Sequence, residues 1–161
     1  IANVDEDSTK NGNNYSKKIC DLGLTKGIST IIMSAKLEAE ISEITDIVER
    51  KEFLNALNLE VSGLEKLTKA GYNLLKLITY FTAGPKEVRA WTIKKGTIAK
   101  AAAGKIHNDF SRGFIAAETI AYNDYIVLGG EQKARENGSI RTEGKEYIVI
   151  DGDIIVFRFN V

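Results

Sequence analysis

Hydrophobic positions along residues 1–78 alternate between short β-branched runs and longer stretches with helical spacing, the pattern of an α/β layer. Residues 1–4 read as the end of a strand, and residues 5–16, dense in Asp, Asn, Ser and Gly, as a loop. A short helix is predicted over 17–24, stopped near Gly27, followed by a buried parallel-sheet strand over 29–33. Leu37, Ile41, Ile44 and Val48 share one helical face and predict a helix over 34–48, with a second over 52–59. Ser62 and Glu65 form a capping-box pattern. They open a helix whose Leu64, Leu67, Ala70, Leu74, Leu75 and Ile78 make a stripe expected to face a core.

From Thr79 the period shortens to that of strands. Tyr80 and Phe81 end at a turn, Ala83-Gly84-Pro85, and residues 88–93 alternate as the next strand. Thr97 is expected to start a helix that runs from Ala99 toward Gly104 and Ile106, with one more turn over 108–112. A strand is predicted over 114–122 and short helices over 124–128 and 131–136. Strands over 147–150 and 154–159 flank Asp151-Gly152-Asp153, a hairpin signal. Strands with one main helix laid across them predict an α+β, grasp-like second domain.

Composition narrows the class. The 161 residues are 43% hydrophobic, enough for one ordinary domain or two small ones with a real core. Twenty-two basic residues balance 22 acidic ones, and the two parts differ little: residues 1–83 carry 10 basic and 12 acidic groups, residues 84–161 carry 12 and 10. Charge alone therefore names no partner. Cys20 and His107 are each the single residue of their type, which leaves no disulfide and no cysteine–histidine zinc cluster. A reducing, cytoplasmic setting and no membrane span are expected.

Three strings in register carry more information: RAWTIKKG from Arg89, AAGKIHNDFSRGFIAAE from Ala102, and GKEYIVIDGDIIVFRFNV from Gly144. Together they resemble the C-terminal TGS domain of the YchF-type Obg-like ATPases. Upstream, NVDE at residues 3–6 and AGYNLLKLITYFTAGPKEVRAW at 70–91 are similar to the end of that family's nucleotide-binding domain. The resemblance covers nearly the whole chain. It implies an α/β fragment of an OBG-type P-loop NTPase domain over 1–78, followed by an α+β TGS domain (β-grasp, ubiquitin-like) over 79–161. No GxxxxGK[ST] loop occurs, and the chain begins at Ile1 with Met33 its single methionine, so a fragment lacking the phosphate loop is expected.

The implied functions follow from this resemblance. GTP-binding relatives carry Asn-Lys-x-Asp where this chain has Asn3-Val4-Asp5-Glu6, and the family's NxxE variant goes with adenine. Asn3, the backbone at Val4, Glu6, and the next turn at Ser34 and Ala35 are then the base-contacting residues, with ATP the expected nucleotide and GTP possible. Mg²⁺ belongs to the intact protein, with its ligands upstream. By its residue types alone the tetrapeptide reads as a surface loop and Ser34 as a plain N-cap, and the resemblance is what turns the tetrapeptide toward a base. Lys94, Lys95, Lys105 and Arg112 are the candidate ribosome or RNA contacts, with Lys100, Arg141, Lys145 and Arg158 on the same small domain and Trp91 and Phe110 near by for stacking. Interleaved Glu118, Glu131, Glu136, Glu143 and Glu146 are what an ordinary solvated face would also show, and the resemblance is what tips the reading toward RNA. His107, beside Asp109 and Lys105, reads as a structural or partner-contact residue, and Asp151 and Asp153 as turn residues; no catalytic residue or metal ligand is expected. A monomer is expected. The competing reading is a free-standing TGS-type RNA- or ligand-binding module without hydrolase activity, which would have no need of residues 1–83.

Overall fold

A computed structural model describes residues 1–84 and 87–160, so Pro85 of the predicted turn lies outside the described residues. The chain divides into two compact units, residues 1–73 and 74–161, each described by itself.

In the first unit, strand β1 (Ala2–Asn3) pairs in parallel with β2 (Ile32–Met33), Asn3 opposite Met33. Helix α1 lies between them. It spans Asn14–Lys26 and starts before the predicted residue 17, because Asn13 Oδ1 accepts the N–H groups of Tyr15 and Ser16, both at 3.0 Å, while Ser16 Oγ accepts that of Asn13 at 2.7 Å. The loop expected to reach Ser16 thus ends in a capping box.

The predicted helix over 34–48 is two helices, α2 (Ala35–Glu43) and α3 (Ile47–Ala56). Asp46 breaks it: its carboxylate accepts Val48 N–H at 2.8 Å and Glu49 N–H at 2.9 Å, and capping a new helix satisfies donors that a through-running helix would not leave free. Leu37 and Ile41 keep their predicted burial and pack with Leu59, Phe53 and Leu54, whereas Val48 is exposed.

Helix α4 (Gly63–Leu75) departs from expectation in a second way. Leu64, Leu74 and Leu75 of its apolar stripe are exposed, and Gly63 is the helix's buried residue. Gly63 sits against Met33 and Glu38; a Cβ there would come within 2.7 Å of Met33 Cβ and 2.8 Å of Glu38 Oε1. Close approach, not backbone freedom, requires glycine here.

The second unit holds a mixed five-stranded sheet whose order among the described residues is Val88–Lys94, Leu77–Ala83, Ile154–Phe159, Phe114–Ile120 and Arg141–Glu143. Strand β3 (Leu77–Ala83) pairs antiparallel with β4 (Val88–Lys94) over its whole length, so Leu77 and Ile78 sit in the first strand of the second unit. Helix α5 (Ala99–Ile106) presents Ala99, Ala102 and Ala103, all fully buried, to a core of Ile78, Tyr80, Ile93, Ile155 and Phe157. Three small side chains let the helix lie close to the sheet. Tyr80, fully buried, donates to Ala102 O at 2.9 Å, and burial pushes its phenol well above the usual range.

Thr97 does not cap α5. Its hydroxyl donates to Lys94 O at 2.6 Å, and the first helical N–H groups are taken by Tyr147 O and Lys145 O instead. Nor does Gly104 end the helix; it lies against Ser111 of α6 (Asn108–Arg112), with its would-be Cβ 3.1 Å from Ser111 Cβ.

Strand β5 (Phe114–Ile120) stops short of Tyr122, which opens α7 (Tyr122–Leu128); α8 (Glu131–Glu136) follows. The predicted hairpin over 147–159 does not form. A short strand that the sequence did not suggest, β6 (Arg141–Glu143), edges the sheet, and β7 (Ile154–Phe159) inserts between β3, in parallel, and β5, antiparallel. Residues 147–149 bond to residues 97–99 instead: Ala99 N–H to Tyr147 O at 2.8 Å, Val149 N–H to Thr97 O at 3.0 Å, with a bridge between Ile98 and Ile148. The Asp151-Gly152-Asp153 turn, with Gly152 at φ +85°, is held to β3 by Thr79 N–H on Asp151 Oδ1 and Gly152 N–H on Thr79 O, both at 2.8 Å. A turn bound to β3 delivers β7 beside β3, which a local hairpin cannot do.

Candidate functional site

Two sets of candidate residues were named from sequence, one in each unit. In the first, the carboxyl ends of parallel β1 and β2 lie side by side, the position where open α/β sheets bind ligands. Asn3 Oδ1 accepts Ala35 N–H at 2.9 Å, tying residue 3 to the first turn of α2 across 32 positions of sequence. With its oxygen occupied, the Asn3 amide presents Nδ2 as a free donor, which suits a ring-nitrogen acceptor such as purine N7. Ser34 is almost wholly buried and caps α2 through Leu37 N–H at 3.4 Å, so the plain N-cap role is real and coexists with its place in the turn. Val4 is buried and its N–H goes to Met33 O at 2.9 Å, so that N–H is not a donor for a ligand.

Glu6 follows in the same segment and reaches α2 as well. Its Oε1 lies 2.5 Å from Lys36 Nζ, an exposed pair in which the hydrogen bond to Glu6 raises the Lys36 ammonium above its usual range. Asp5 turns the other way, with Oδ1 accepting Ser8 N–H at 2.9 Å; bonds from Ser8 hold its carboxyl below the usual value. The structure thus brings Asn3, Ala35, Glu6 and Lys36 together.

Beneath this edge, Glu38 on α2 accepts Gly63 N–H at 2.6 Å and Leu64 N–H at 2.9 Å, while Ser62 Oγ takes Glu65 N–H at 3.1 Å. The capping acid of α4 is therefore Glu38, a negative charge at a helix N-terminus, rather than Glu65 of the sequence pattern. Lys36 and Glu38 were not singled out from sequence, since nothing local marks a partner 30 or 25 positions away.

In the second unit the basic residues separate into two groups. Arg158 and Arg135 both bind Glu118, at 3.0 and 2.9 Å, and their hydrogen bonds hold its carboxyl below the usual range. Arg141 pairs with Glu143 at 3.3 Å and reaches Asp153 at 3.5 Å. Arg112 pairs with Asp109 at 3.0 Å. Lys94 and Lys105, by contrast, line one shallow groove between β4 and α5, with Thr97 and Gly104 between them. Lys95 follows in the adjoining turn, and Lys100 and Lys145 meet through a backbone bond of 3.2 Å at the start of α5. Exposed lysines thus surround α5, and the arginines are mostly spent on internal carboxylates.

The aromatic residues expected to stack on bases are engaged within the fold. Phe110 lies on Phe159 at 3.9 Å between ring centroids; Trp91 donates Nε1–H to Thr82 Oγ1 at 3.0 Å and is covered by Arg89 at 4.3 Å. His107 Nδ1 accepts Asp109 N–H at 3.2 Å as the N-cap of α6, in keeping with its structural reading. Among the described residues no group of three or more His, Cys, Asp or Glu side chains could hold a metal ion, and no helix is long and apolar enough to cross a membrane.

Residues 77–160, over half of the chain, match the family model YchF-GTPase_C, described as "Protein of unknown function (DUF933)". The chain belongs to the YchF family. It is 52% identical over 161 residues to the "Ribosome-binding ATPase YchF" of Escherichia coli O157:H7, and 51% identical over 163 residues to the protein of that name in Bacillus subtilis (strain 168). Each alignment takes in all of this chain and 44% of the YchF relative, so the chain spans under half of their length. Among solved structures, that of the Schizosaccharomyces pombe YchF GTPase aligns with a TM-score of 0.83 at 38% identity, over 98% of this chain and 42% of that one. A GTP-binding protein from Pyrococcus horikoshii OT3 shares the fold at 18% identity with a TM-score of 0.63, over 95% of this chain and 44% of that one. These alignments run through both units, residues 1–83 included, which the reading as a free-standing module does not require.

Proposed function

We propose that this chain is the C-terminal part of a ribosome-associated, ATP-hydrolysing YchF protein. It supplies the base-reading edge of the nucleotide site and a TGS-type, β-grasp domain that meets the ribosome or its RNA. The first unit completes an OBG-type nucleotide-binding domain, and the second, whose sheet begins with β3 at Leu77, forms the TGS domain. The phosphate loop and the Mg²⁺ ligands belong to the rest of the protein, as the metal's chemistry needs oxygen ligands beside the phosphates. The protein works in the cytoplasm as a monomer, and ATP is preferred although GTP can enter.

One observation supports this reading: the bond from Ala35 N–H to Asn3 Oδ1, which closes the two loops of the edge on each other and leaves Asn3 Nδ2 as a donor available to a purine. Ser34 holds the α2 terminus in place from below, and Glu6 adds an acceptor on the side where the base's exocyclic group would lie. The partner contact falls to the lysines around α5. Lys94, Lys95 and Lys105 are free of internal carboxylates among the described residues, and Arg112 joins them when it exchanges Asp109 for a phosphate.

Calorimetric titration of ATP and GTP into the full-length protein tests the base edge. Asn3→Ala should weaken both nucleotides about tenfold or more, because a purine acceptor and the Ala35 N–H each lose a partner. Unchanged affinity for both in Asn3→Ala would place base recognition elsewhere.

A further inference from the structure

We infer that Lys36 is a specificity-determining residue of the nucleotide site, acting through its ion pair with Glu6. This rests on the nucleotide reading of the base edge and deepens it. The geometry is local. Ala35 and Lys36 are consecutive at the N-terminal turn of α2, and each engages one side chain of the 3–6 segment: Ala35 N–H holds Asn3 Oδ1 at 2.9 Å, and Lys36 Nζ holds Glu6 Oε1 at 2.5 Å. The same turn therefore sets both side chains that would face a base.

The chemistry follows from counting acceptors. A free carboxylate offers two oxygens in one plane and matches two adjacent donors, as on the Watson–Crick edge of guanine with its ring N–H and exocyclic amine. With Oε1 bound to the Lys36 ammonium, one lone pair of Glu6 is taken and its charge is partly offset, so its two oxygens match two adjacent donors less well. That suits the adenine edge, where a single exocyclic amine stands beside a ring nitrogen that is itself an acceptor and would repel a second carboxylate oxygen. The ammonium also offsets the Glu6 charge near that ring nitrogen. The pair is exposed on both sides, with side chains 75% and 43% accessible, so it adds little to folding and its effect falls on the ligand. Glu40 also faces the ammonium electrostatically and does not compete for the hydrogen bond.

The test is the ratio of GTP to ATP dissociation constants in the full-length protein, measured by titration for wild type, Lys36→Ala, Lys36→Arg and the double variant Lys36→Ala with Glu6→Gln. The ratio should fall about two- to fivefold in Lys36→Ala, stay near wild type in Lys36→Arg, and return toward wild type in the double variant, where the neutral amide no longer offers two acceptors. The melting temperature should not move in Lys36→Ala. A Lys36→Ala protein that binds ATP with an unchanged ratio overturns the inference alone. Wild-type protein that binds neither nucleotide overturns the nucleotide reading and the inference with it.

Discussion

Removing the Asp153 carboxylate should loosen the second unit by an amount the structure lets one work out. Asp153 is almost fully buried; its Oδ2 accepts Tyr147 Oη at 2.7 Å and Ile150 N–H at 2.9 Å, and Arg141 lies 3.5 Å from Oδ1. A hydrogen bond to a charged acceptor contributes about 1.5–3 kcal/mol where water cannot replace it. Both donors lie in a partly exposed segment, so water recovers part of each bond, and Asp153→Ala should cost about 2–3 kcal/mol in all. Asp153→Asn keeps one acceptor and the shape, and should cost about 1 kcal/mol. Trp91 is the protein's single tryptophan and lies in β4, so its emission during urea unfolding reports on this unit. With a slope of about 1–3 kcal/mol per molar urea, the Asp153→Ala midpoint should drop by about 1–2 M. An Asp153→Ala midpoint equal to wild type, or above that of Asp153→Asn, would refute the view that this carboxylate holds residues 147–153 in place.

The partner of that carboxylate gives a pH prediction. Burial first, and then the bond to Asp153, push the Tyr147 phenol up to about 12 from the ordinary 10.0. The folded protein keeps a proton that the unfolded chain loses, so the contribution is complete below pH 10 and disappears as pH rises toward 12. After discounting for a partly exposed ring it amounts to about 1 kcal/mol, and Tyr147→Phe should flatten alkaline unfolding curves over that window. Gly63→Ala forces a Cβ against Met33 and Glu38 and should destabilise the first unit by about 1–3 kcal/mol, seen as faster hydrogen exchange in α4 and α2; unchanged exchange would mean that α4 shifts freely. Replacing Lys94, Lys95 and Lys105 together with Gln should lower ribosome co-sedimentation, and most at low salt, with the Trp91 unfolding midpoint unmoved; wild-type sedimentation across the salt series would assign this face to another partner.

Local signals in the sequence determined most of the helices and the strands on either side of residue 84. Ser34 and Ser62 each cap where a short polar side chain precedes an apolar period, and the strand-like run from Thr79 and the alternating run over 88–93 pair as β3 and β4. The three motif strings settled the family, and the NVDE tetrapeptide marked the edge where Asn3 and Ala35 meet. What failed did so where a distant partner outbid a local preference. Asp151-Gly152-Asp153 has hairpin chemistry, but Thr79 of β3 takes the turn and Thr97 takes Val149, so β7 pairs with β3 and β5. The apolar stripe of α4 has the right period, yet periodicity states only that a face is apolar and not that the described residues cover it. Lys36 on Glu6 and Glu38 on the α4 terminus are bonds between residues 30 and 25 apart; the parallel pairing of β1 with β2 brings the first pair together, and the packing of Gly63 against Met33 and Glu38 the second. Capping and alternation act within one turn or one strand and are legible in a string of residues; ion pairs and carboxylate caps act through space, and the tertiary structure alone decides them.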